Sequence, residues 1–334
     1  MMLRIVRDQS LANNIVIVDG LSKSGKSLIM PLISSLSKGE LPQFDHIFEY
    51  IATLTYFGRI DRHAAESLIK LYADFDLYNV MIGRNTNFRK KDDSSAFANL
   101  LEERQRKRLT DPDGEIVIRQ IQKRNPILVL MVHYIFQASD IFFDALGKRL
   151  KLYIMSVRHP AWLVEGWGER NWDERFNKNP RDFQICVNVN GKKVPWFANK
   201  DPDYYLSLGP LEQSIYVVHL FIKNIEQHYN RLSPRIKKKI MFVPFELFMA
   251  TPVSYLRQIA KRTGSALTNF TRSVLKQVNL PRRFDIEEIR DKRNQISRML
   301  QKKKVSKKIQ SMFDSLCDNY EQKYLTNNGR FSNL

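Results

Sequence analysis

Cysteine is nearly missing from this chain: Cys186 and Cys317 are the two thiols in 334 residues. Two cysteines cannot build a disulfide framework or a four-thiolate zinc site. Neither lies in a sequence context that activates a thiol. Long apolar runs are missing too, and nothing approaches the ~18 residues of a membrane-spanning helix. The first residues, Met1-Met2-Leu3-Arg4-Ile5-Val6-Arg7-Asp8, lack the apolar stretch and small-residue cleavage site of a signal peptide. Internal repeats and low-complexity segments are not evident. These absences predict a cytoplasmic protein of a reducing compartment, with no membrane span.

What is present is an ordinary core-forming composition. Hydrophobic residues make up 43% and aromatics 11%, which excludes wholesale disorder. The formal net charge is +19, and it is uneven. Residues 1–230 carry a net +4, whereas residues 231–334 carry +15. The densest stretch runs from Arg282 to Lys308 and includes Lys302-Lys303-Lys304 and Lys307-Lys308. Such a block suits nucleic acid, an anionic membrane or a polyanionic substrate, or it is a solvated helix face. Its aromatics are few, so a base-stacking platform is not evident and a nucleic-acid partner is not expected. The sequence leaves the oligomeric state open.

Short β-branched and apolar runs at Ile15–Val18, Ile127–Val132, Leu150–Val157 and Ile240–Val243 read as buried strands. Helical periodicity separates them, at Leu28–Leu36, 61–80, 96–109, Ser139–Leu146 and Leu211–Leu232. Strands alternating with helices predict an α/β fold with a central parallel sheet and helices on both faces. Residues 168–205 break the rhythm. Asn190-Gly191 between two valine-rich runs predicts a hairpin there, within a lid-like insertion. We read residues 1–334 as a single P-loop domain. Residues 265–334 form its basic helical C-terminal segment.

Gly20-Leu21-Ser22-Lys23-Ser24-Gly25-Lys26-Ser27 matches G-x-x-x-x-G-K-[ST] at every fixed position, between a strand and a helix. Glycines let consecutive N–H groups converge on one anion, and the helix adds its positive end. Lys26 would reach a terminal oxyanion and Ser27 would donate a hydroxyl. The motif therefore predicts a phosphorylated ligand. An ATP or GTP enzyme also needs a strand-end carboxylate for magnesium. The two following strands end instead in His133 and Arg158. Asp19, just before the loop, is the one carboxylate that would serve a kinase.

Three segments resemble the sulfotransferases that use 3′-phosphoadenosine 5′-phosphosulfate (PAPS), in that family's order. Ser22-Lys23-Ser24-Gly25-Lys26-Ser27-Leu28 resembles the 5′-phosphosulfate loop, whose usual form is P-[KR]-S-G-T-[TS]-[WL]. Val157-Arg158-His159-Pro160 with Val164-Glu165-Gly166-Trp167 resembles the 3′-phosphate motif. Phe242-Val243-Pro244-Phe245-Glu246-Leu247-Phe248, with Pro252 and Leu256–Ala260, resembles the late strand, turn and helix. Together they span about residues 14–265.

The resemblance implies PAPS as donor and no metal. It implies that Lys23 contacts the bridging oxygen of the leaving phosphate and that Ser24 through Ser27 wrap the phosphosulfate. It further implies that Arg158 binds the 3′-phosphate and that His133 is the general base, with Glu165 as the alternative. The acceptor would be a small molecule or a carbohydrate. The sequence departs from the pattern at Ser22, Lys26 and Gly166, the last replacing the serine of the 3′-phosphate site. The family's late Arg-Lys-Gly element is not recognisable. Arg282, Arg283 or the lysines at 302–304 are the candidates to replace it. Trp172 and Trp196 are candidates to line an acceptor pocket. Two other readings stand beside this one: an ATP- and Mg²⁺-dependent small-molecule kinase, and a non-catalytic polyanion-binding protein on the same fold.

Overall fold

A computed structural model describes residues 5–112, 114–168, 176, 178–283 and 285–325. Its centre is a four-stranded parallel sheet made of β1 (Ile15–Asp19), β2 (Leu128–Met131), β3 (Leu150–Val157) and, after a separate hairpin, β6 (Ile240–Pro244). The order is β2-β1-β3-β6, so the strand that precedes the phosphate loop is internal. Gly39 and Gln43 add isolated parallel bridges along β2. Both faces of the sheet are covered, which is why its strands read as continuous apolar runs rather than alternating ones.

Successive residues of β1 still divide between the faces, as a pleat requires. Ile15 and Ile17 pack into the larger core cluster, Val16 and Val18 into the smaller. The smaller core lies under α1 (Lys26–Ser34) and later helices. The larger one takes α2 (Ile47–Tyr56), α3 (Arg62–Met81) and the helices that follow. Next in the chain come α4 (Glu102–Arg108), α5 (Glu115–Arg124), α6 (Asp140–Leu146) and α7 (Pro160–Gly168). The antiparallel pair β4 (Cys186–Val189) and β5 (Lys192–Pro195) follows. Its turn residues, Asn190 and Gly191, both have positive φ, 51° and 83°, as a type I′ turn requires. Then come α8 (Pro202–Ser207), α9 (Pro210–Arg231) and α10 (Pro234–Lys237). After β6 lie α11 (Phe245–Ala250), α12 (Pro252–Thr263), α13 (Asn269–Gln277), α14 (Ile286–Lys302) and α15 (Lys307–Tyr320).

Four details differ from expectation. The charged helix expected at 96–109 is confined to α4. Ahead of it Leu100 has a φ of 56°, and the Asn99 side chain bonds the carbonyls of Asp93 and Ser95, so turn chemistry wins over periodicity. The helices α2 and α5 were not legible as such. The insertion's hairpin end is packed down: Val194, Trp196 and Phe197 are buried in the larger core. The basic C-terminal segment is likewise anchored, because Ile296 and Leu300 of α14 and Ile309 and Phe313 of α15 join that core. Lys302, Lys303 and Lys304 lie exposed on the far side. Among the described residues, no helix is long and apolar enough to cross a membrane.

Candidate functional site at the C-terminal ends of the strands

In a parallel sheet all strand C-termini open on one edge, and ligands bind there. Here that edge receives the loop after β1, His133 after β2, Arg158 after β3, and Phe245 and Glu246 after β6.

The loop's shape is dictated by its glycines. Gly20 has a φ of 148°, and a Cβ there would lie 2.4 Å from the Ser156 carbonyl. Gly25 has a φ of 101°, and a Cβ would lie 2.1 Å from the Phe245 ring. Lys23, with a φ of 72°, takes a left-handed conformation without being glycine. The loop is tied internally by Ser24 N–H to the Leu21 carbonyl (3.1 Å) and from outside by Ser156 Oγ, which donates to the Ser24 carbonyl (2.8 Å). Lys26 is 5% exposed. Its ammonium donates to the carbonyls of Gly20 (2.5 Å) and Leu21 (3.0 Å). Ser22 is buried, and Ser27 and Leu28 open α1 toward the surface. The Ser24 hydroxyl is buried with no hydrogen-bond partner among the described residues.

Asp19 sits beneath the loop with both oxygens in use. Tyr153 Oη donates to Oδ2 (2.7 Å) and the Gly20 N–H to Oδ1 (2.6 Å). Burial raises its pKa, against the hydrogen bond from Tyr153 and the charge of Lys26. A fully enclosed carboxyl group so engaged is poorly placed to hold magnesium.

His133 follows β2, and its ring Nδ1 lies 2.8 Å from Glu49 Oε1. The same oxygen accepts the His133 backbone N–H at 2.9 Å. The other oxygen, Oε2, lies 3.1 Å from Nδ1 of His46. The two imidazoles stack with centroids 6.1 Å apart. Glu49, 4% exposed, stands in the first turn of α2. Burial alone would raise its pKa, but the hydrogen bonds and charge of His133 and His46 outweigh that and bring it to about 2. Burial, and then the charge of Lys26, pushes His133 below the ordinary histidine value. The hydrogen bond to Glu49 lifts His46 above it. These three residues are the one histidine–carboxylate cluster among the described residues whose ligand atoms come within 4.8 Å of each other, as a metal ion would require. The insertion reaches this cluster: Tyr50 Oη donates to the Phe183 carbonyl (2.8 Å), and the Phe183 and His46 ring centroids are 6.2 Å apart.

Arg158 donates to the Lys23 carbonyl (2.9 Å). Its guanidinium lies 4.5 Å from the Phe245 ring and 5.2 Å from that of Trp162. Its Nε is buried without a partner. Glu246 holds the turn behind it, accepting from the His159 backbone N–H (3.0 Å) and from Tyr320 Oη (2.5 Å). Gly166 lies against the loop. A Cβ there would meet Lys23 Cγ at 2.6 Å, so the glycine makes room for the lysine stem where the family pattern has serine. Glu165 is paired to Lys292 Nζ at 2.7 Å, and that ammonium also lies 4.7 Å from the Trp162 ring.

A mainly apolar cavity of about 240 Å³ opens beside the loop, lined by Ser24, Arg158, Tyr229, Phe242 and Tyr320, with Lys323 among its cations. Arg282, Arg283 and Lys302–304 do not line it. Arg282 instead caps carbonyls at Val278 and Asn279. Trp196 packs between Tyr56, Phe57 and Phe197. Trp172 lies outside the described residues. Burial raises the pKa of both Cys186 and Cys317, consistent with unreactive thiols.

Sequence reading thus named the loop, His133 and Arg158, and the structure brings all of them to one edge. It missed Glu49, His46 and Lys323. The His46-x-x-Glu49 spacing was a usable signal, since i,i+3 residues share a helix face.

No protein-family model matches the chain, and no curated protein matches it in sequence. Two solved structures follow a similar course over most of it. One is a sulfotransferase domain from the Synechococcus PCC 7002 olefin synthase, at 12% identity and a TM-score of 0.42, with 81% of this chain and 80% of that one covered. The other is a sulfotransferase domain from the curacin biosynthetic pathway, at 12% identity and a TM-score of 0.40, with 77% and 76% covered.

Proposed function

We propose that the protein is a sulfotransferase that moves a sulfuryl group from PAPS to a hydroxyl or amine of a small-molecule or carbohydrate acceptor. The observation that carries this reading is the pairing of a phosphate loop with a strand-end histidine on one sheet edge, where burial, and then the charge of the loop's Lys26, hold His133 below the ordinary histidine value. At neutral pH such an imidazole is uncharged and able to take a proton. The buried, unpartnered Ser24 hydroxyl and the glycine turns fit an anionic group at the loop.

In this reading Ser22 through Leu28 cradle the 5′-phosphosulfate. His133 removes the acceptor's proton as its oxygen or nitrogen bonds to sulfur. The sulfur–oxygen bond to the phosphate breaks, and the electron pair stays on that phosphate oxygen. Lys23 and Lys26 stabilise the charge that grows there. Arg158 takes the 3′-phosphate from its stacked position between Phe245 and Trp162, beside Gly166. Because Gly166 supplies no hydroxyl, the second 3′-phosphate contact falls to another residue. Lys323, which lines the same cavity as Arg158, and Lys292, which meets the same Trp162 ring, are the candidates for it. The ion pair of Glu165 with Lys292 makes it the weaker choice of base. The direct test is transfer of labelled sulfate from PAPS to a panel of phenols, alcohols, amines and sugars in the presence of a chelator. Labelled product expected from the wild type and lost in Lys23→Ala supports the reading. Phosphoryl transfer from ATP with magnesium, and none from PAPS, would replace it with the kinase.

A further inference from the structure

His133 is not an isolated base. Glu49 comes from α2, 84 positions away in sequence, and grips it twice with one oxygen. That oxygen accepts the backbone N–H at 2.9 Å, which fixes the oxygen as an acceptor, and it lies 2.8 Å from Nδ1. An ionised carboxylate can only accept, so the ring proton must sit on Nδ1. The free lone pair is then on Nε2. The second oxygen is occupied by His46 in the same manner.

We propose that Glu49 is the positioning residue that fixes His133 in the tautomer with its lone pair on Nε2, and that His46 regulates the strength of that base by sharing the carboxylate. The catalytic consequence rests on the sulfotransferase reading, whereas the tautomer does not.

The separations favour this hydrogen-bonded relay over a metal site. Ligands about 2.1 Å from a tetrahedral metal stand about 3.4 Å apart, whereas here both nitrogens are at hydrogen-bond distance from the carboxylate. The charged groups around the pair are few. Lys26 faces His133 from α1 and opposes its protonation, as does His46 when charged, while Glu49 favours it. Asp45 and Asp182 face His46 and favour its charge, together with Glu49. The charge of Glu49 is also felt by Asp19, whose pKa burial raises. When His46 gains a proton it draws Glu49 toward itself and repels a proton on His133. The base therefore weakens as pH falls through the His46 titration.

The test is long-range proton–nitrogen NMR of the full chain labelled with ¹⁵N-histidine, run without any donor. Wild type is expected to show His133 protonated on Nδ1 at neutral pH. Glu49→Leu, which removes the acceptor, is expected to lose that preference, and His46→Asn to move the His133 titration to higher pH. In turnover, Glu49→Leu should lower kcat about 10²-fold or more while leaving the KM for PAPS unchanged, with Glu49→Asp retaining part of the activity. His46→Asn should move the acid limb of the kcat profile upward. A wild-type His133 protonated on Nε2, or a tautomer unmoved by Glu49→Leu, would overturn the proposal. If Glu49→Leu does not fold, the wild-type spectrum decides by itself. No turnover with PAPS by a wild type that shows the expected tautomer would remove the reaction and leave the tautomer assignment standing.

Discussion

The phosphate loop and the histidine cluster sit on one sheet edge but are built in opposite ways. The loop is eight consecutive residues whose backbone does the work: left-handed turns at Gly20, Lys23 and Gly25 aim N–H groups, and neighbours need only leave space. The cluster is three side chains from two distant segments, and its geometry exists only because α2 packs beside β2. One is a local property of sequence; the other is a tertiary one. The two should therefore fail differently.

His133→Ala should show the largest effect. The expected loss in kcat is about 10²–10⁴-fold, with donor affinity retained, measured by initial rates and nucleotide titration of the same preparation. Loss of nucleotide binding as well would merge the two regions and break the distinction. Gly25→Ala is the reciprocal change. A methyl at a φ of 101° and 2.1 Å from the Phe245 ring should weaken donor binding about 10²-fold, read by calorimetry, while the His133 spectrum stays as in wild type. Gly166→Ser is milder and sharper. Its Cβ would press on the flexible Lys23 stem at 2.6 Å, so the lysine moves rather than the fold. The expected result is about a tenfold fall in kcat with donor affinity kept or improved. A gain in turnover would instead mean that the family's serine restores a missing contact.

The same contrast explains what was legible in the sequence. The four sheet strands were visible because buried parallel strands leave unbroken apolar runs, as Ile15-Val16-Ile17-Val18 does. The loop was visible because its glycine spacing is required by local backbone geometry. His133 and Arg158 stood out as strand-end residues, and the structure puts both at the expected edge. Glu49 was silent. Its neighbours Phe48, Tyr50 and Ile51 are aromatic or β-branched, so α2 did not announce itself, and its partner lies 84 positions away. The C-terminal excess charge was hard to place from sequence, because which basic residues come near Arg158 depends on how α14 and α15 pack. Lys302–304 are exposed, whereas Lys292 shares the Trp162 ring with Arg158 and Lys323 shares its cavity.

In the proposed reaction the loop and Arg158 together hold a nucleotide with phosphates at two positions. The most direct measurement is the thermal unfolding midpoint of the full chain with adenosine 3′,5′-bisphosphate in the presence of a chelator. A ligand at 100 times its Kd stabilises the native state by about 2.7 kcal/mol, so a clear upward shift is expected, and Arg158→Ala should lose it. A midpoint unmoved by the bisphosphate but raised by ATP with magnesium would contradict the account and assign the loop to a kinase.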